Sequence, residues 1–118
     1  MASVVVHNVD PGAVRGATID VFESDGYKLA RRDKESMVFE KKASSMTNLA
    51  YGNWMESQVW SRVTVFVEPM SESVVRVRCS GYAVRDKGGA TEEQLKTYRR
   101  GPYQKLMDEV ARRLSPKQ

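Results

Sequence analysis

Residues 11–24 carry the first helical pattern of the chain. Asp10 followed by Pro11 is a typical helix start, because an Asp side chain accepts a hydrogen bond from an unpaired backbone N–H and Pro presets the helical φ. Small and apolar side chains then recur at three- and four-residue spacing: Ala13, Val14, Ala17, Val21 and Phe22. Gly26 favours an end to the helix, since glycine adopts the left-handed conformation found there. The pattern predicts an amphipathic helix with one buried stripe.

Alternating apolar and polar residues predict two β-hairpins after this helix. The first joins residues 27–32 to residues 36–42 through the polar turn Asp33-Lys34-Glu35, and the second joins residues 58–68 to residues 73–84. The side chains assigned to the inner face are Tyr27, Leu29, Met37, Phe39, Val59, Val63, Val65, Val67, Val75, Val77, Cys79 and Ala83. In the first hairpin the side chains assigned to the outer face are Lys28, Arg32, Glu40 and Lys42.

The ends of the chain add a strand and a second helix. Residues 3–7 form a short β-branched run, and residues 43–53, which lack a strand period, are interpreted as a connecting loop. Thr91 and Gln94 match a capping box, which predicts the start of the last helix. Its apolar stripe is assigned to Leu95, Tyr98, Pro102, Leu106, Val110 and Leu114. Gly101-Pro102 is expected to break or kink this helix, because Pro lacks the backbone donor.

The order of these elements indicates an α+β fold. An antiparallel sheet of four to five strands with one apolar face needs a covering layer, and the two amphipathic helices are the candidates to provide it. We therefore predict a two-layer sandwich in which residues 1–118 form a single domain. The residues predicted to form its core are Val14, Val21, Phe22, Leu29, Phe39, Val63, Val65, Val75, Val77, Leu106 and Val110.

Composition narrows the chemistry. The chain has 118 residues, of which 41% are hydrophobic and 29% charged, and this balance is typical of an ordinary soluble fold. One Cys and one His exclude an intramolecular disulfide and the multi-ligand zinc patterns. No window approaches the roughly 20 apolar residues of a membrane-spanning helix. The sequence therefore predicts no metal site, no cofactor and no membrane span.

Residues suited to catalysis are scarce. His7 is the one near-neutral base and lies in a terminal strand, where we interpret it as a surface residue, and Cys79 alternates with inner valines as a small buried residue would. Gly88-Gly89 lacks the spacing and the Lys of a phosphate loop and is interpreted as an ordinary turn. We predict that the protein is not an enzyme.

The outer face of the second hairpin is the candidate binding surface. Arginine and aromatic side chains alternate onto this face, a combination that stacks on bases or holds an anionic partner. The candidate residues are Trp60, Arg62, Phe66, Arg76, Arg78 and Tyr82. A purely structural role is the alternative, in which Glu68 neutralises the arginines across the strands and the loop at 43–53 covers the aromatic rings.

Residues 10–42 resemble the start of a known kind of domain. Residues 17–22, the pair Gly26-Tyr27, the turn Arg32-Asp33-Lys34-Glu35 and the segment Met37-Val38-Phe39-Glu40 carry the likeness. It is similar to the helix-then-hairpin opening of small bacterial envelope lipoprotein domains, including the helix-grip domains of outer-membrane assembly accessory lipoproteins. The resemblance implies an extracytoplasmic, non-enzymatic binding or scaffolding role.

Two classes of function follow from these observations. The first is a non-catalytic binding or accessory domain of the bacterial cell envelope with a protein or envelope partner. The second is a cytoplasmic nucleic-acid-binding module that uses the basic, aromatic sheet face, in line with a sequence pI of about 9.3. A third alternative is a small-molecule site in a cleft between the sheet and the helices, although no particular residues in the sequence point to such a site. We expect a periplasmic or envelope address if a leader is removed and a cytoplasmic one otherwise.

The strand at residues 3–7 bears on association. It carries no Lys or Pro that would discourage pairing with another chain. We expect it either to join the chain's own sheet, leaving a monomer, or to bridge two copies in a homodimer.

Overall fold

One layer of the molecule is an antiparallel sheet. The computed structural model describes residues 2–42, 59–85, 87–90, 92–96 and 100–114. Within these ranges the strands are β1 (Ala2–His7), β2 (Lys28–Arg32), β3 (Ser36–Lys42), β4 (Val59–Ser71), β5 (Val74–Arg85) and β6 (Glu93–Lys96). Their order across the sheet is β1-β5-β4-β3-β2, and β6 also pairs with β5. Because β4 occupies one edge of β5, β1 and β6 share the other, β1 along residues 74–79 and β6 along residues 82–85.

Within the described ranges, two helices pack on one face of this sheet and form a second layer. The first, α1 (Pro11–Ser24), begins as predicted, since Asp10 Oδ1 accepts a hydrogen bond of 2.9 Å from the backbone N–H of Ala13. It ends at a turn in which Gly26 adopts a φ of 93°. The second, α2 (Arg100–Leu114), packs beside α1 and against β1 and β5, while α1 contacts β2 and β4. The predicted α+β sandwich is thus confirmed. Neither described helix is long and apolar enough to cross a membrane.

The core lies between the helices and the inner face of the sheet, which we define as the face of Phe39, Val65 and Val77. All eleven predicted core residues belong to it, with Leu29 and Leu106 only partly buried. At its centre the Phe22 and Phe39 rings stack with centroids 4.6 Å apart. The period-two alternation of β4 and β5 therefore assigned the faces of the sheet correctly.

The prediction for the last helix was wrong at its start. Glu93–Lys96 is a strand paired with β5, so Leu95 lies in β6 and is 48% exposed. The capping-box pattern is outweighed by the edge of β5, which offers these residues backbone partners. Pro102 causes no break, because it lies in the first turn of α2, where an N–H has no intrahelical partner to lose. The apolar stripe of α2 consists of Tyr103, Leu106, Met107, Val110 and Leu114. Tyr98 lies outside the described residues.

Two smaller assignments also change. Ala13, placed on the buried stripe of α1, is exposed, whereas Thr18 is fully buried and donates a hydrogen bond of 2.7 Å from Oγ1 to the carbonyl of Val14. Glu40 was placed outward among solvated side chains, and its side chain does lie on the outer face, but the residue is only 7% exposed. The predicted loop at 43–53 lies outside the described residues.

A close approach between α2 and β5 depends on Gly81. A Cβ atom added at this glycine would lie 2.3 Å from Cζ of Tyr103, so the Tyr103 ring occupies the space that any other residue would fill. The absence of a side chain at position 81 allows the helix to approach the strand this closely.

Replacing Phe22 or Phe39 with Ala is expected to lower the free energy of unfolding by about 3 to 5 kcal/mol, because each leaves a cavity in a packed core. Chemical denaturation of both variants measures the change. A loss below about 1 kcal/mol at both positions would contradict the assignment of the inner face.

Gly81→Ala is expected to destabilise the protein by about 1 to 3 kcal/mol, because the added methyl group displaces the Tyr103 ring. Gly16→Ala is the matched control: nothing lies within 4 Å of a Cβ there, and Ala at this helical position is expected to stabilise by about 0.5 to 1 kcal/mol. In a Tyr103→Ala background the cost of Gly81→Ala should largely vanish. Equal costs in both backgrounds, measured by thermal and chemical denaturation, would contradict the steric explanation.

Candidate functional site: the outer face of the sheet

The six predicted residues share the face of the sheet opposite the helices, which we call the outer face. Register places Arg62 opposite Tyr82, and Phe66 opposite Arg78, across β4 and β5. Arg76 lies opposite Glu68, and Trp60 lies opposite Val84. All six candidates are half-buried. The structure thus places all six on one face and divides them into two clusters with different electrostatics.

Arg62 is the centre of the first cluster, the Arg62 cluster, which also contains Glu40, Lys87, Glu92 and Gln94. Its Nε donates a hydrogen bond of 2.7 Å to Glu40 Oε2. Its two terminal nitrogens donate to Gln94 Oε1 at 3.0 Å and to Glu92 Oε1 at 3.3 Å. Glu92 Oε1 also accepts from the backbone N–H of Gly88 at 3.1 Å. Arg62 therefore connects β3 to the segment that turns from β5 into β6.

Glu40 is the most deeply placed charge of this cluster. Burial by itself raises the pKa of a carboxyl, but hydrogen bonds from Lys87 and Arg62 outweigh that effect and hold the pKa of Glu40 below its ordinary value. Lys87 Nζ lies 2.9 Å from Glu40 Oε1, so the carboxylate has one cation on each oxygen. The arrangement keeps Glu40 ionised at neutral pH although its side chain is only 8% exposed.

Trp60 is joined to the same cluster through Lys87. The Lys87 ammonium lies 4.0 Å from the centroid of the Trp60 ring, within the range of a cation–π contact. Lys87 thus contacts Glu40 and Trp60 at once and holds the turn after β5 against the outer face. Arg62, Trp60 and their partners satisfy one another, which favours the structural interpretation for this end of the face.

Arg76, Arg78, Glu68 and Phe66 make up the second cluster, the Arg76–Arg78 cluster. Glu68 Oε1 accepts from Arg76 Nε at 3.1 Å and from Arg78 Nε at 2.5 Å. The hydrogen bonds from Arg78 and Arg76 lower the pKa of Glu68, so its charge is present at neutral pH. Arg78 also lies over the Phe66 ring, 5.1 Å from its centroid. Within this cluster two guanidinium groups donate hydrogen bonds to one carboxylate.

The two clusters also differ in exposure. The side chains of Arg76 and Arg78 are 41% and 31% exposed, against 20% for Arg62. Further apolar surface lies next to the second cluster, since Val5 of β1 lies opposite Arg76 and is 50% exposed. The Arg76–Arg78 cluster therefore combines accessible guanidinium groups with apolar surface, whereas the Arg62 cluster does not.

The sequence did not identify the residues that contact Arg62 and Trp60, although it did identify the partner of Arg76 and Arg78. Glu68 was recognised as a neutralising residue, because it alternates onto the same face of β4 as the arginines. Glu40 and Lys87 carried no such signal. Their contacts with Arg62 and Trp60 depend on the register between β3 and β4 and on the path of the turn after β5.

The candidate catalytic residues are not brought together. His7 is exposed at the end of β1, and Cys79 is 1% exposed, so that burial raises the pKa of its thiol to about 12. Gly88-Gly89 is followed by the strand β6. The helix that the sequence predicted directly after this turn begins only at Arg100. Among the described residues no group of three or more His, Cys, Asp or Glu side chains could hold a metal ion.

Comparison of the chain with protein-family models and with curated proteins finds no match.

Arg62→Met is expected to lower the free energy of unfolding by about 1.5 to 3 kcal/mol, because it removes a charged hydrogen-bond donor from the nearly buried Glu40. Arg76→Met is the matched control on the same face, and because that ion pair is exposed, its loss should cost less than about 1 kcal/mol. Denaturation of both variants at neutral pH tests the difference. Equal costs would contradict the division of the outer face into a structural and an accessible part.

Proposed function

We propose that the protein is a non-catalytic binding module that contacts an anionic partner through the outer face of its sheet. Among the described residues, α1 and α2 pack on the inner face. On the outer face Glu40, Ser80 and Val84 are almost fully buried, whereas the side chain of Arg76 is 41% exposed. The proposal assigns the contact to its Arg76–Arg78 cluster.

The exposure of two neighbouring arginine side chains beside an aromatic ring carries this proposal. Arg76 and Arg78 both direct Nε at one oxygen of Glu68, and both side chains remain partly exposed. An incoming carboxylate or phosphate group could accept charge-assisted hydrogen bonds from the exposed guanidinium group of Arg76. Phe66 supplies aromatic surface beside the charges, and arginine and aromatic side chains are enriched in protein contact sites.

For the setting, we propose an accessory role in the bacterial cell envelope with a protein or envelope component as the partner. The support for this is the helix-then-hairpin likeness of residues 10–42. In the structure that segment forms α1, β2 and β3, with the turn Asp33-Lys34-Glu35 between the strands. Cell fractionation of the native host, with an antibody against the chain, distinguishes an envelope address from a cytoplasmic one.

A photo-crosslinking amino acid at Thr64 tests the surface, because Thr64 lies on the outer face two residues from Phe66. The same group at Asp20, exposed on α1, is the control for the opposite side of the molecule. In the native host we expect a discrete crosslinked product from position 64 that disappears in an Arg76→Glu, Arg78→Glu background. Products of equal yield from both positions, or products insensitive to the charge reversal, would contradict the proposal.

Single-stranded nucleic acid is the second candidate partner, favoured by the contact between Arg78 and Phe66. A guanidinium plane over an aromatic ring provides a stacking surface of the kind that bases use. Titration of a fluorescent oligothymidylate at low and at moderate salt tests this, since phosphate contacts weaken steeply as salt rises. We expect salt-sensitive binding that is lost on Arg78→Glu if the partner is nucleic acid. The lack of any binding at low salt would eliminate nucleic acid and leave the protein or envelope partner.

A further inference from the structure

β1 is an edge strand of the sheet, and some of its backbone N–H and C=O groups point away from its neighbour β5. The N–H of Asn8 donates to the carbonyl of Ser73 at 2.7 Å, which shows that the even-numbered residues of this segment direct their backbone groups at β5. Alternate residues of an antiparallel edge strand point in opposite directions. The N–H and C=O groups of Ser3, Val5 and His7 therefore point to the outer edge of β1. In the part of the chain that the structure describes, no strand pairs with that edge.

Gln104 of α2 satisfies one of these three residues. Its Oε1 accepts a hydrogen bond of 3.2 Å from the N–H of Ser3, and its Nε2 donates one of 2.9 Å to the carbonyl of the same residue. The side-chain amide thus takes the place of a neighbouring strand at Ser3. Val5 and His7 are left as the two positions at which another strand could pair.

The opposite edge of the sheet is protected in ways that β1 is not. The exposed residues of β2 include Lys28, Arg31 and Arg32, and the pairing of β2 with β3 is interrupted by a register shift between Leu29 and Arg31. Charged side chains and irregular strands are the features that keep sheet edges from pairing with other chains. Residues 2–7 contain no Lys, Arg, Asp, Glu or Pro.

We propose that the edge of β1 pairs with β1 of a second copy of this chain, in a two-fold symmetric homodimer. Val5 of each copy lies opposite His7 of the other, with the two-fold axis between the two Val6 residues. Each such pair exchanges both N–H···O bonds, so that the two pairs supply four backbone hydrogen bonds. One symmetry operation satisfies every outward group of Val5 and His7 in both copies.

Gln104 favours this occupant over an unrelated extended peptide. A peptide strand running along the whole edge would meet the amide at Ser3, where the backbone groups are already bonded. A two-fold contact needs only Val5 and His7, and it leaves both Gln104 contacts intact. In the same dimer the half-exposed Val5 side chain becomes partly buried against the second copy. This assembly does not depend on the proposed function of the outer face.

Sedimentation equilibrium between about 10 μM and about 1 mM tests the dimer, since short edge contacts give weak association. For the wild-type chain we expect a mass that rises from one copy to two over this range. Val5→Lys places a charge at the edge and Val5→Pro removes its outward N–H, and each is expected to weaken association about tenfold or more. The Lys variant keeps every intramolecular hydrogen bond, so it decides the matter if the Pro variant does not fold.

Met70→Lys is the matched control, because Met70 is a similarly exposed apolar residue, at 56%, near the turn between β4 and β5. It should leave the dissociation constant unchanged. A monomer mass across the whole concentration range would overturn the proposal. So would dimers that persist in both Val5 variants, or dimers that Met70→Lys weakens as strongly as Val5→Lys does.

Discussion

The antiparallel pairing of β4 with β5 is the contact on which the rest of the molecule depends. It joins the two longest strands over almost their whole length, from Val59 opposite Arg85 to Ser71 opposite Val74. β3 pairs with the free edge of β4, β1 and β6 divide the free edge of β5, and the helices cover the inner face. Because side chains alternate strictly along paired strands, this single register decides which residues enter the core and which meet on the outer face.

The parts of the fold that follow from local periodicity could be predicted from the sequence. Valines at every second position of β4 and β5 identify the buried face, and Asp10-Pro11 marks the start of α1. The start of α2 could not be predicted, because Gln94 belongs to a plausible helix cap when only its neighbours are considered. Its actual role is to pair with Val84, a residue ten positions away, and that backbone pairing between strands outweighs the preference of its immediate neighbours.

The candidate site shows the same limit. Arg62 and Arg78 look alike in the sequence, since both alternate onto the outer face beside aromatic residues. They differ in their surroundings: Arg62 donates to Glu40, Glu92 and Gln94 and its side chain is 20% exposed, whereas Arg78 donates to Glu68 and its side chain is 31% exposed. The partners of Arg62 come from β3 and from the segment that follows β5, so their convergence depends on tertiary structure. Alternation identified the face, and only the packing of distant segments identified its accessible part.

The position of Cys79 allows its chemical reactivity to report local unfolding of the sheet. It is the single thiol of the chain, and it lies on the inner face between Val65 of β4 and Ala2 of β1. The thiolate is the form that attacks alkylating reagents, and a buried thiol with a pKa of about 12 supplies very little of it at neutral pH. Modification therefore proceeds through states in which the sheet has separated from its helices or β1 has detached from β5. The rate of alkylation at this one sulfur atom measures how often such states occur, without any label being introduced into the protein.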